Sequence, residues 1–295
     1  MKSTRRIFVP ARQRSKANAV CPCGKNNKDG KFATQKGYEG QPVGSCHSCG
    51  KDYWPDNSTL VDPANIVYEP PKSKCNIDQK HLHDHFDENL DSVYAKNLIE
   101  KWGPHNAEDM VSDFHLGVYK GAPIFWYIDT GGTIRHGKIQ WYNSNGKRNK
   151  NLHATTFQSL VLGLKDERGC EIDWCFFGEH NLINLDRPVA IVEGEATAVE
   201  MSKLYSDYIW LATGGRGFLK KMAHRLKNCP KDVVKLYPDH EAYDEWKEVG
   251  DQYGWFTSRL CEEWFKEGSI SKGGDIRDYY RLNINDNSYL NLPRN

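Results

Sequence analysis

From Arg187 onward, short β-branched runs alternate with helical patterns, and this alternation constrains the fold more than any other feature. "VAIV" at residues 189–192 reads as a strand and residues 196–204 as a helix. "YIWLATGG" reads as a strand ending in a glycine turn, "KKMAHRLKNC" as a helix and "DVVKLYPD" as a strand. "AYDEWKEVGDQYGWFTSRLCEEWFKEG" reads as helical. Strands separated by helices cannot pair as tight hairpins, so the order predicts a parallel sheet with helices on both faces. Upstream, Leu82, Phe86, Leu90, Val93, Tyr94, Asn97 and Leu98 recur at spacings of three and four, which predicts helix from Asp78 to Trp102. "SDFHLGVYKGAPIFWYIDTGGTIRHGKIQWYN" predicts a β-meander, with a strand at Phe125–Ile128, a turn at "DTGG" and a returning strand over "TIRHGKIQWY".

The nine cysteines divide into a cluster, Cys21, Cys23, Cys46 and Cys49, and five scattered singles. An odd total with scattered singles fits a reducing compartment better than a disulfide framework. "CPCGK" and "CHSCGK" each put two thiols on a tight turn followed by glycine. Four sulfurs so placed suit a structural Zn2+ ion. The first knuckle is C-x-C, which narrows its bite, and His47 inside the second is a weaker candidate ligand. The surrounding segment holds few large apolar residues and needs a metal or a neighbour to fold. A second grouping, Cys75 with His81, His83 and His85, reads as surface histidines, because alternate positions on a helix point in different directions.

The expected fold class is therefore α/β with small β-rich parts: a zinc β-ribbon, a mixed α+β middle region and a parallel α/β domain. The expected boundaries are a basic arm at 1–18, the ribbon at 19–60, the middle region at 61–185, the α/β domain at 186–282 and a tail at 283–295. "YEPPKSKCN" reads as a linker, since Pro70 and Pro71 oppose helix.

Residues 1–60 carry eleven Lys and Arg against four acids, while residues 186–295 carry sixteen against eighteen. A basic front on a nearly neutral chain suits a protein that grips a polyanion at one end. The N-terminal segment is basic but lacks the apolar core of a secretory signal, and no apolar run is long enough to span a bilayer. The expected location is the cytoplasm of a bacterial host, with no membrane partner. "TIRHGKIQWYNSNGKRNKN" contains no acid. Its Arg135, Lys138, Tyr142, Lys147, Arg148 and Lys150 are candidates for binding single-stranded DNA or RNA, where cations meet phosphates and rings stack on bases. Strand alternation puts Trp141 with Ile139 towards the core and leaves Tyr142 as the stacking ring.

In a parallel α/β sheet, ligands gather at the carboxyl ends of the strands. The first strand delivers Glu193 there, the second Gly214 and Gly215, and the third Asp239, Glu241 and Asp244. "GGDIRDYY" adds Asp275 and Asp278. Carboxylates meeting at one edge repel each other unless a cation lies between them. Mg2+ or Mn2+ would fill that role, with Glu193, Asp239, Glu241 and Asp244 as candidate ligands. The plain alternative for Glu193 and Glu195 is an acid at a helix N-terminus, stabilised by the macrodipole.

"IVEGEATA", "ATGG" and "YPDHEA" resemble the successive motifs of a Toprim domain, the fold shared by bacterial primases, topoisomerases and some nucleases. The resemblance assigns Glu193 to the strand-end acid and Asp239 with Glu241 to the later acidic pair, here Asp-x-Glu rather than Asp-x-Asp. An N-terminal zinc ribbon is likewise the arrangement of bacterial-type primases. "PIFWYIDTGGTIRHGKIQWYN" and "CFFGEHNL" extend the likeness to an uncharacterised Toprim-like family of phages and bacterial mobile elements. The resemblance implies a primase-like replication protein with nucleotidyl-transfer chemistry at Glu193, Asp239 and Glu241, and a replicative helicase or polymerase as partner. Two alternatives are a nuclease on the same fold and a non-catalytic nucleic-acid-binding accessory factor with a degenerate domain. Residues 105–185 are too short for most of the large nucleotide-binding region of primases.

Overall fold

A computed structural model describes residues 8–18, 20–21, 23–53, 73–74, 76–163, 170–183 and 186–282. The start of the basic arm, residues 54–72, Cys75 and the 283–295 tail lie outside the described residues. The chain forms two compact units, Met1–Pro70 and Pro71–Asn295.

In the first unit one helical turn, α1 (Arg14–Ala17), precedes three short strands, β1 (Phe32–Thr34), β2 (Gly44–Cys46) and β3 (Asp52–Tyr53). They form an antiparallel sheet in sequential order. Asn27 fastens the entry to β1: its Oδ1 accepts the Phe32 N–H at 2.7 Å and its Nδ2 donates to the Phe32 carbonyl at 3.2 Å. The described core is small, Phe32 with Cys21 and Cys46, edged by Cys49 and Tyr53.

The second unit begins with β4 (Ser73–Lys74), α2 (Lys80–Asp84), α3 (Val93–Trp102) and α4 (Pro104–Asp113). The meander follows as β5 (Gly117–Tyr119), β6 (Ala122–Ile128), β7 (Ile134–Ile139) and β8 (Thr155–Thr156), one antiparallel sheet in sequential order. After α5 (Phe157–Leu160), β9 (Cys170–Glu171) pairs in parallel with β4. The expected helix from Asp78 to Trp102 is two helices. Asp87 receives the N–H groups of Asp91 and Ser92, Leu90 takes φ 56°, and Ser92 caps α3 through the Ala95 N–H. These local bonds end one helix and start the next.

The alternating region forms β10 (Val189–Val192), α6 (Glu195–Leu204), β11 (Ile209–Ala212), α7 (Leu219–Met222), β12 (Val234–Leu236), α8 (Tyr243–Tyr253), β13 (Phe256–Thr257), α9 (Leu260–Lys266) and α10 (Ile276–Leu282). The sheet is wholly parallel, in the order β11-β10-β12-β13. The long helical pattern after Tyr243 is cut at Gly254, whose φ of 74° ends α8 and lets β13 join the sheet edge.

Both faces of the parallel sheet are covered. Val189, Ile191, Ile209 and Leu211 pack with Leu219, Met222, Trp246 and Trp255. Ala190, Val192, Trp210 and Ala212 pack on the other side with Phe125 and Tyr127 from the meander, Phe177 from the segment after β9, and Tyr94 and Leu98 from α3. Every residue of β6 is buried: Phe125 and Tyr127 serve that shared core, while Ile124, Trp126 and Ile128 serve a second one with Ile134, Ile139 and Phe157. The close approach there depends on Gly137, where a Cβ would stand 2.7 Å from the Trp126 ring. The meander and the parallel sheet are thus two layers over one core, within one unit.

Candidate carboxylate site and cysteine centre

The knuckles form as tight turns. Gly24 and Gly50, at φ 86° and 71°, donate N–H groups to the carbonyls of Cys21 and Cys46 at 2.8 Å each. Ligand atoms of Cys21, Cys23, Cys46 and Cys49 all lie within 4.8 Å of one another. Burial pushes the Cys21 thiol up to about 12, whereas the Lys51 N–H and the Tyr53 hydroxyl bring Cys49 down to about 6. The narrow C-x-C bite does not keep its pair from the group: the Cys21 and Cys23 sulfurs are 3.1 Å apart. Four soft donors in one group, on a core this small, fit Zn2+.

In the second unit Glu193 leaves the carboxyl end of β10, and Gly194 N-caps α6. Asp239 lies just beyond β12, after Tyr237 has donated its N–H to the Ile191 carbonyl at 2.8 Å. The third acid of the cluster is Asp275, ahead of α10. Its Oδ2 accepts from the Thr197 hydroxyl at 2.5 Å and its Oδ1 from the Asp278 N–H at 2.8 Å. Burial raises Glu193 to about 7 against the pull of Arg216. Burial, then the charges of Asp275 and Glu193, raise Asp239 well above the carboxylate range. Asp239 Oδ1 is buried with no hydrogen-bond partner. Glu241 stands apart: it adopts φ 77°, donates its N–H to Glu262, and pairs with Lys272 at 3.1 Å. Asp244 is exposed in the first turn of α8. Among the described residues, only the cysteines gather three or more ligand atoms within 4.8 Å, so the carboxylates are spread more widely.

Two buried networks hold this edge. Glu195 receives the Tyr127 hydroxyl at 2.5 Å and Lys138 Nζ at 2.8 Å, and Lys138 also donates to the Gly214 carbonyl at 3.2 Å. Burial alone would raise the Glu195 carboxyl, but Lys138 and Tyr127 hold it below its usual value. Gly214 cannot be replaced without strain, since a Cβ would lie 2.1 Å from the Tyr127 hydroxyl and φ is 79°. Its N–H donates to the Glu193 carbonyl at 2.8 Å. On the other side, Glu200 pairs with Lys101 at 2.7 Å and Arg277 at 3.2 Å, and Arg277 Nε is 3.8 Å from Asp275 Oδ2. Neither network is legible in sequence, because each joins segments distant in the chain through single side chains.

The acid-free hairpin divides. Lys138 is committed to Glu195. Arg135 binds Asp129 at 2.6 Å and Asp173 at 3.4 Å. Tyr142 packs on Tyr94 with ring centres 5.1 Å apart, against the shared core. Each position has a local physical reason: a partly buried cation on β7 needs a carboxylate, and the Tyr142 ring finds the edge of the shared core. Lys147, Arg148 and Lys150, at the tip, are exposed. Trp141 is partly buried against the Ile139 core, as strand alternation predicts. His81 and His85 lie against the Phe157 ring, 5.3 and 5.1 Å away, and join no metal-binding group among the described residues. No helix among the described residues is long and apolar enough to cross a membrane.

Solved structures similar to this chain include the primase fragment of the bacteriophage T7 primase-helicase protein. It has 15% identity and a TM-score of 0.38, over 89% of this chain and 96% of that one. The zinc-binding and RNA polymerase domains of Aquifex aeolicus primase overlap 58% of this chain and 45% of theirs, at 14% identity and a TM-score of 0.35. At such values the chemistry has to be read from this chain's own residues. No curated protein matches the sequence. A family model, described as a domain of unknown function (DUF6371), matches residues 92–240, from the start of α3 to just past Asp239. That span is half of the chain and contains both layers of the shared core, and the chain belongs to the DUF6371 family.

Proposed function

We propose that this chain is a primase-like, Toprim-type protein that acts on single-stranded nucleic acid in the replication of a phage or mobile element. The observation that carries the reading is Asp239: a half-buried acid whose Oδ1 is buried and unpartnered, beside Glu193 and Asp275, at the carboxyl edge of a parallel sheet. Acids so placed, partly out of water and beside one another, call for a cation or a transferred proton. Asp239 and Asp275 would hold Mg2+ or Mn2+, with Glu241 and Asp244 outside the pair. When bound, the ion supplies polarisation of a phosphoryl oxygen. Glu193, raised to about 7, is suited to take a proton from an attacking hydroxyl near neutral pH. Zn2+ on the four cysteines would be structural.

A second reading has its own support. The carboxylates are not gathered into a close cage, and Glu241 is engaged by Lys272. On that reading the protein binds nucleic acid beside a replicative helicase or polymerase and does no chemistry. Incubation of the protein with labelled single-stranded DNA, nucleotides and Mg2+ or Mn2+, beside Asp239→Asn, separates the readings. New short products that vanish in the variant support nucleotidyl transfer, and shortened DNA points to the nuclease. DNA bound but unchanged by both proteins sinks the enzymatic reading and leaves the accessory factor.

A further inference from the structure

No acid occurs between Thr213 and Lys231. The chain here is helical from Arg216 to Leu226, as a 3-10 turn, α7 and a second 3-10 turn. Arg216, Lys220, His224 and Lys227 recur at steps of four, four and three. Each step is close to one turn of the mixed 3-10 and α segment. All four are exposed, as is Lys221. The opposite side, Leu219, Met222, Ala223 and Leu226, is buried under the parallel sheet. Arg225 turns inward and grips Glu179 at 2.7 Å. The cationic face is therefore held in place by its own apolar back.

What the cations meet is weak. Arg216 pairs with Glu245 at 2.8 Å and Lys220 with Glu248 at 3.8 Å, and all four side chains are well exposed. Exposed pairs contribute little, so a phosphate can replace the carboxylate at small cost. Lys221 Nζ stands 4.5 Å from the centre of the Phe218 ring, which is partly exposed and packs on Trp174 at 4.7 Å. A ring among cations is the composition of a single-strand platform. The face also begins at the candidate site, because the Gly214–Gly215 turn that leads into it is bonded to the Glu193 backbone.

We propose that this face is the track along which a single-stranded nucleic acid runs to the carboxylate edge. Its phosphates would lie on Arg216, Lys220, Lys221, His224 and Lys227, with a base against Phe218. The inference rests on the nucleic-acid reading above and adds to it a binding surface separate from the Lys147–Lys150 tip. It is tested with the full chain and a labelled oligothymidylate of about twenty residues, a length that covers one or two single-strand sites, in metal-free buffer over a range of salt. Three proteins are compared: wild type, Lys220→Gln/Lys221→Gln/Lys227→Gln, and a control with three exposed lysines neutralised elsewhere, Lys120→Gln/Lys203→Gln/Lys266→Gln. The track variant is expected to bind roughly ten-fold more weakly at low salt, with a log–log salt slope flatter by about 0.7 for each phosphate it no longer neutralises. The control is expected to keep the wild-type slope. Wild-type binding with equal losses in the two variants overturns the track and leaves the nucleic-acid reading standing. No binding by the wild type overturns both.

Discussion

The thiols of the first unit come from two tight turns, the second at the end of β2, each closed by a glycine, and their ligand atoms lie within 4.8 Å of one another. The carboxylates of the second unit come from the ends of two strands and from the approach to α10, and they are more widely spread. The thiols lean on a core of Phe32 and little else, whereas the carboxylates stand on a sheet buried on both faces. The two arrangements divide the work differently. In the first unit an ion would make the fold; in the second the fold makes the site, and it pays for Asp239 and Glu193 by holding acids in a place that disfavours their charge.

The largest expected effect tests that division. Structural zinc sites contribute about 10–16 kcal/mol of apparent binding free energy. Removing zinc with a chelator, or Cys46→Ser, should therefore unfold the first unit and leave the second intact. Hydrogen exchange would show β1–β3 losing protection while β6 and β10 keep theirs. Equal loss in both units would break the comparison.

Next is Lys138→Met. It strips the buried Glu195 of its cation, a change that costs about 3–5 kcal/mol for a buried pair. For a unit of this size the melting temperature should fall by roughly 10 °C. A shift near zero would show that Lys138 is not committed to Glu195 in solution.

The carboxylate edge should reveal its cost through pH. An acid whose folded pKa is raised adds nothing unfavourable below its ordinary value, 4.5 for Glu193, and its full cost above the folded value of about 7. Glu193→Gln is expected to stabilise the protein by about 1–3 kcal/mol at pH 8, and Asp239→Asn to act in the same direction. The gain should vanish near pH 4. Melting curves at the two pH values check this, and an equal gain at both would mean that packing, not charge, is responsible.

The smallest stability effect belongs to the exposed tip. Lys147→Gln, Arg148→Gln and Lys150→Gln together should leave stability within about 0.5 kcal/mol. They should flatten the salt slope of oligonucleotide binding by about 0.7 for each phosphate left without its cation. A melting shift comparable to that of Lys138→Met would place these residues in the core.

Local patterns are legible where neighbours in sequence are neighbours in space. The β6–β7 hairpin follows from "DTGG" between alternating strands, and the cysteine group follows from glycine after each knuckle. The break at Leu90 is not legible, because helical spacing continues through it while Asp87 commits its carboxylate to the backbone of Asp91 and Ser92. Arg135, Lys138 and Tyr142 read as a binding face because a run of cations carries no mark of which ones meet a buried acid. Asp129, Asp173 and Glu195 are the answer, and all three lie outside the run.

By itself the sequence determined the parallel α/β class, the four-sulfur group and the delivery of Glu193 and Asp239 to one sheet edge. Periodicity and turn chemistry act over a few residues, and a parallel sheet brings its strand ends together in any strand order. Only the tertiary structure decided that the meander and the parallel sheet share a core, that Asp275 rather than Glu241 acts on Asp239, and that Lys138 is committed to Glu195. Those outcomes depend on which distant side chain comes within a few ångströms to satisfy a buried charge, and only the packed chain specifies that.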